Sequence, residues 1–301
     1  MNWRSVLVLI VLSLTWGSSF ILIKKSLTGF DPYQMVAIRL SMTGLLFLPW
    51  TIYRWKKIRW DKWRALLVVG FVGSLIPFTL YGWGETRVSS SVAGIINALT
   101  PIFTMIIGIL IFKLRFDGRQ LSGILLGLAG AFGLIVLQHQ GSASTPIGFS
   151  LLMVIATMCY GTSANTVKAK LGDMQAVDIT ASTFFLTAIP SLIYLALPAN
   201  AHHLLHDPSA HHAFLYVSIL VVAGTAMATV LYYYLVQITT PVFASMVSYF
   251  MPIIAVLWGA LDGESIHWQH FMAIACILTG VYLVQRKPRK SRPASPLLNV
   301  D

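Results

Sequence analysis

Apolar runs of about 20 residues, separated by short polar breaks, recur ten times along the chain. They lie at roughly 4–23, 33–53, 65–84, 89–112, 118–138, 147–167, 178–198, 213–236, 240–261 and 268–285. About 20 residues rising 1.5 Å apiece span the hydrocarbon of a bilayer, so each run is predicted as a membrane helix. The seventh is the weakest, because ITASTFFLTAIPSLIYLALP opens on polar residues. The first is read as a retained helix: its apolar run is too long for a cleaved signal, and no A-x-A site precedes the next element. The expected fold class is an all-α integral membrane protein with ten transmembrane helices.

Two of the runs carry a proline near the middle. VAGIINALTPIFTMIIGILIF holds Pro101 and VFASMVSYFMPIIAVLWG holds Pro252. Proline removes a backbone donor and crowds the preceding turn, and in lipid the freed carbonyl needs another partner. Both are read as helix-break positions. Asn97 and Ser248 stand one turn before them.

The prolines are related by an offset of 151 residues, and that offset also carries Gly73 to Gly224, Tyr81 to Tyr232, Ala93 to Ala244 and Asn97 to Ser248. An offset of 144 lays WGSSF, Trp16 to Phe20, on YGTSA, Tyr160 to Ala164. The chain therefore reads as a duplication, with repeats at 1–140 and 146–285 and a basic, disordered cytoplasmic tail at 286–301. Five spans per repeat is an odd number, so the second repeat enters the membrane inverted. Inverted repeats with interrupted helices at matching positions are a construction of alternating-access transporters.

Charge gives the orientation. Of the 21 Lys and Arg, seventeen fall on the side of the N-terminus, Lys24, Lys25 and Arg87 fall opposite, and Arg39 lies within the second run. The positive-inside rule places both termini in the cytoplasm. Charged residues make up 10% of the 301 residues and the apolar set 56%, which leaves no room for a sizeable soluble domain. The net charge of +11 is accounted for by cytoplasmic loops and tail facing anionic headgroups, with no nucleic-acid partner. Cys159 and Cys276 fall inside runs and imply neither a disulfide nor a metal framework.

The tandem five-span halves, WGSSF in the first run, DPYQMVAIRL opening the second and ALTPIF in the fourth resemble the EamA family of the drug/metabolite transporter superfamily. The resemblance covers the chain to about Gln285. It implies ten helices forming an inverted-repeat basket around a central cavity. It also implies a secondary transporter, usually an exporter, of amino acids, related metabolites or toxic compounds in the bacterial inner membrane. No cofactor and no metal are implied. The partners are a small-molecule substrate and the lipid bilayer, in a monomer or homodimer.

Candidate cavity residues are polar or aromatic, lie well inside runs and recur in both halves. They are Trp16, Ser19, Tyr81, Asn97, Tyr160, Ser163, Tyr232 and Ser248, with Trp83 and Tyr234 extending the aromatic set nearer the span ends. Asn97 is read either as a substrate ligand or as the partner of backbone opened by Pro101. Gly17 and Gly161 are read as close-approach positions. Arg39 is unduplicated, since the alignment sets Thr183 opposite it, and an intramembrane arginine is a functional-site hypothesis by default. It is expected to meet a substrate carboxylate, Asp31 or Glu85, or else to snorkel to the interface.

No carboxylate lies deep inside a run, which suggests facilitated or exchange transport, with proton coupling through the shallow Glu85 as the lesser reading. All eight histidines fall on the outer side, and HHLLHDPSAHH is read first as a polar loop and only secondarily as a metal or pH-sensing site. The fifth run presents Gly123, Gly127, Gly130 and Gly133, a packing face within the chain or between two copies. A membrane enzyme would need a grouped nucleophile, acid/base pair or metal-ligand set, and a scaffold would not need a duplicated midplane constellation.

Overall fold

The computed structural model describes residues 3–88, 90–138, 147–261 and 268–285. The basic tail and two of the histidines, His139 and His267, lie outside them. Among the described residues there are helices and turns and no strand.

Helices α1 (Trp3–Gly17) and α2 (Ser19–Ser26) form one rod with a turn at Ser18. α3 (Pro32–Arg54) starts on a capping box in which Asp31 accepts from the Gln34 N–H and Gln34 reaches back to the Asp31 N–H. This satisfies two of the first turn's orphan donors. A continuous helix then runs over Trp60–Glu85, through α4 (Trp63–Leu67), a π-helical stretch Val68–Leu75 and α5 (Ile76–Glu85). α6 (Ser90–Asn97), α7 (Thr100–Leu110) and α8 (Gly118–Gln138) follow.

In the second half come α9 (Ile147–Lys170), α10 (Ala176–Leu195) and two further helices, α11 (Pro198–His206) and α12 (Pro208–Ile219). A π-helical stretch Leu220–Met227 leads into α13 (Ala228–Ile238), then α14 (Pro241–Ser245), α15 (Val247–Leu261) and α16 (Trp268–Gln285). Among the described residues six helical rods are long and apolar enough to cross a membrane: Trp3–Ser26, Pro32–Arg54, Trp60–Glu85, Ile147–Lys170, Ala176–Leu195 and Ser209–Ile238. Thr100–Leu110, Pro241–Ile254 and Phe271–Val284 are shorter apolar helices.

Several expectations change. Residues 198–206 are helical where a polar loop was expected; Pro198 begins α11, and Asp207 caps α12 through the Ser209 N–H. A fixed φ suits proline to a first helical turn, where its missing donor costs nothing. The polar start of α10 does not weaken it, because Thr180, Ser182, Thr183, Thr187 and Ser191 each donate to a carbonyl three or four residues back. Self-satisfied hydroxyls make a polar helix acceptable in a core.

The two prolines differ. The fourth run breaks at Ala98–Leu99, and Pro101 sits in the first turn of α7. The helix runs through Pro252, and the interruption of the ninth run is at Met246, six residues earlier. Pro252 is therefore an interior proline, not a helix end.

The glycine face of α8 packs within the chain. A Cβ on Gly123 would meet the Gly280 carbonyl of α16, one on Gly130 the Ala273 carbonyl, and one on Gly127 the Tyr249 ring. That ring is tied down by its hydroxyl, which donates to the Ile124 carbonyl at 2.9 Å. α3 and α10 meet across Gly44, where a side chain would strike Phe184 and Ala188. At the far end of this pair the buried Asp178 accepts from Trp50 Nε1 at 3.0 Å and pairs with Arg54 at 2.8 Å.

Candidate functional site: a polar cavity between the helices

A cavity of about 130 Å³ lies among α1, α2, α3, α5, α6, α9, α13 and α15. That is roughly ten times the space one ordered water needs, about 10–15 Å³. All nine side chains singled out from the sequence as cavity residues line it: Trp16, Ser19, Arg39, Tyr81, Asn97, Tyr160, Ser163, Tyr232 and Ser248. Trp83 and Tyr234 do not. Trp83 stands edge-on to Tyr33, with centroids 5.5 Å apart, and Tyr234 is exposed on the outside of α13.

Two aromatic pairs form the walls. Tyr81 and Tyr160 stack with centroids 6.1 Å apart and planes 28° from parallel, and Trp16 lies against Tyr232 at 5.2 Å. The Trp16 indole N–H donates to the Gly224 carbonyl at 2.9 Å, which fixes the ring across the junction of α1 with the second π-helical stretch. The helices approach closely at these junctions: a Cβ on Gly224 would strike the Ser19 hydroxyl, and one on Gly73 the Ser163 side chain. Gly161 likewise admits the backbone of α7 at Phe103 and Thr104, and Gly17 admits Ile254.

The question raised by Pro101 has a local answer. Its missing N–H would have bonded the Asn97 carbonyl, and that carbonyl instead accepts from Thr100 Oγ1 at 2.6 Å. The Asn97 side chain is thus released from the backbone. It accepts from the Tyr81 hydroxyl at 3.2 Å, and its amide donates to the Met251 sulfur at 3.1 Å.

Arg39 is 6% exposed and does not reach an interface. Its guanidinium lies 3.7 Å from the centre of the Phe78 ring, and Nε donates to Thr225 Oγ1 at 2.6 Å. Neither expected acid pairs with it: Asp31 is engaged in capping α3, and Glu85 is buried with both carboxylate oxygens lacking a hydrogen-bond partner among the described residues.

Sequence reasoning missed Thr100, Ser74, Tyr233 and Ser245, which also line the cavity. Tyr233 stands beside Tyr232 in the YYY run, where helical spacing would have chosen the inward pair. Asn165 was missed as well; its amide holds the Thr104 and Gly161 carbonyls, both at 2.9 Å, and so joins α9 to α7.

A sequence profile of EamA-like transporters matches residues 3–136 and again 148–286. The chain belongs to the EamA-like transporter family. An uncharacterized transporter of Archaeoglobus fulgidus is 26% identical over 284 residues, covering 92% of this chain and 98% of the relative. The uncharacterized inner membrane transporter YedA of Escherichia coli K12 is 26% identical, over 92% of this chain and 89% of its own. A WAT1-related protein of Arabidopsis thaliana is 27% identical, over 96% and 91%. A solved crystal structure superposes with a TM-score of 0.69 at 17% identity, covering 94% of this chain and 96% of that one, which shows a shared fold. This EamA-like protein is a multi-pass membrane transporter.

Proposed function

We propose that this EamA-like protein is a secondary exporter of small polar or aromatic metabolites, amino acids among them, working by alternating access. Ten membrane spans would form two inverted five-helix repeats, 1–140 and 146–285, with both termini in the cytoplasm and the protein in the inner membrane as a monomer or homodimer. The observation that carries the reading is the cavity: polar and aromatic side chains from both halves converge on one space inside a chain that is otherwise largely apolar. Polar side chains are disfavoured against lipid and gather where a pathway needs them.

Two features support the rocking of one half on the other. Helices are interrupted beside the cavity in both halves, at Ala98–Leu99 and at Met246. π-helical stretches of equal length occur at matching places, Val68–Leu75 and Leu220–Met227. The offset of 151 carries the first to within one residue of the second.

Radiolabelled amino-acid flux in proteoliposomes, with and without a pH gradient, tests the proposal. Asn97→Trp, which fills the cavity, is the blocked control. Saturable flux that the variant loses while remaining folded is the expected result. Undiminished flux in Asn97→Trp would remove the cavity from the pathway.

A further inference from the structure

Among the residues that line the cavity, Arg39 is the single charged one. Ion pairs elsewhere among the described residues join Arg54 to Asp178, Arg59 to Asp61 and Asp173, and Lys62 to Asp173. Among the described residues no carboxylate lies within ion-pair distance of Arg39. Of its donors, only Nε–H has a hydrogen-bond partner among the described residues, the Thr225 hydroxyl. Phe78 holds the guanidinium plane from one side. The two Nη amino groups, the pair that forms the planar fork suited to a carboxylate, remain available.

An arginine keeps its charge in proteins, and a buried charge without a counter-ion is costly. Such a cost is sustained where a ligand supplies the counter-charge. Glu85 is the buried acid on the neighbouring α5, yet it is absent from the cavity lining and has no hydrogen-bond donor among the described residues. Glu85 feels the Arg39 charge first and the Lys24 charge after it, so it is shared between two cations and is in ion-pair contact with neither. The remaining lining groups are hydroxyls, the Asn97 amide, aromatic rings and aliphatic carbons, none of which offers a cation a formal counter-charge. The aromatic faces alone would attract a cation, but a full positive charge in the same small cavity outweighs a ring quadrupole.

We propose that Arg39 is an anion receptor and that the cavity takes small aromatic carboxylates, the acid on the Arg39 fork and the ring between the Trp16–Tyr232 and Tyr81–Tyr160 pairs. This rests on the transport reading for its biological use, but the binding itself can be tested apart from it. The acceptors Asn97 Oδ1 and the hydroxyls leave an α-ammonium group tolerated, not required.

Benzoate, benzamide and benzylamine share one ring and carry charges of −1, 0 and +1. Titrating each into the purified full chain at fixed ionic strength, with calorimetric detection, isolates the charge. Benzoate should bind once per chain, benzamide about tenfold or more weakly, and benzylamine not at all. Arg39→Gln should abolish benzoate binding. Arg39→Lys, which keeps the charge but loses the fork, should weaken it by about tenfold. If Arg39→Gln fails to fold, Arg39→Lys and Thr225→Val, which frees Nε from its anchor, carry the test, and both should weaken benzoate without admitting benzylamine.

Equal binding of the three probes, preference for benzylamine, no heat from benzoate, or unchanged benzoate affinity in a folded Arg39→Gln protein would each overturn the anion site. Efflux of p-aminohippurate, an organic anion of low passive permeability, from proteoliposomes separates the two readings. Arg39-dependent benzoate binding without any efflux would sink the transport reading alone. Transport of neutral or cationic substrates that ignores Arg39→Gln would sink the anion site alone.

Discussion

Thr100 gives its hydroxyl proton to the carbonyl of Asn97 at 2.6 Å, the carbonyl that Pro101 leaves without its usual partner. The two residues form one device: a proline that opens the helix and a threonine that closes the resulting gap in hydrogen bonding. Thr100→Val should cost about 1–3 kcal/mol, the penalty of a buried unsatisfied acceptor. In the Pro101→Ala background the same change should cost far less, because the restored Ala N–H takes the carbonyl. A double-mutant cycle by reversible unfolding in mixed detergent measures the difference; additive effects would show the two residues to be independent.

Gly73 and Ser163 make a second such pair. Any Cβ at 73 would strike the Ser163 side chain, so Gly73→Ala should destabilise by about 1–3 kcal/mol through overpacking. Removing the obstacle with Ser163→Gly should recover most of the loss. Thermal unfolding of the single and double variants checks this, and a double variant no better than Gly73→Ala would place the strain elsewhere.

Asp178 and Asp173 are both paired acids, but in different surroundings. The Asp178 side chain is 5% exposed and bonds to Arg54 and Trp50, whereas Asp173 is 46% exposed beside Lys62 and Arg59. Asp178→Asn should lower the melting temperature clearly, and added salt should not mask the effect. Asp173→Asn should matter little at neutral pH, and less still at high ionic strength.

Acid removes the small contribution that Asp173 makes at neutral pH. The hydrogen bond from Lys62 holds its carboxyl below the usual carboxylate range, and the Lys62 and Arg59 charges add to this. A carboxylate depressed in the folded state lends stability above its unfolded value of about 4, and that stability is lost as pH falls through the lower folded value. Stability followed below pH 4 should therefore fall less steeply in Asp173→Asn than in the parent. Parallel curves would mean that Asp173 is not linked to acid unfolding.

The sequence made the cavity legible for a simple reason. In a chain this apolar, a polar side chain deep inside a run is conspicuous, and recurrence at a fixed offset separated Tyr81, Asn97, Tyr232 and Ser248 from chance. The unduplicated Arg39 stood out by its charge. Thr100 and Asn165 did not, because threonine and asparagine in helices usually satisfy themselves on nearby carbonyls; Thr100 does so on Asn97, and only the fold shows that Asn165 also reaches Thr104. Pro252 was misleading because a helix can run through a proline when its surroundings accept the lost bond. The break at Ser18 and the helix at 198–206 had no apolar period to announce them.

The paired π-helical stretches, Val68–Leu75 and Leu220–Met227, carry a consequence for a chain immersed in oil. A π turn holds more residues than an α turn while keeping its carbonyls bonded, one step further along the chain. Releasing one surplus residue into α geometry turns everything beyond it by about 100° and advances it by about 1.5 Å. Each stretch thus stores surplus residues within an unbroken rod, one ahead of Tyr81 and the other ahead of Tyr232, and such a release would re-aim those rings without leaving a bare carbonyl in the lipid.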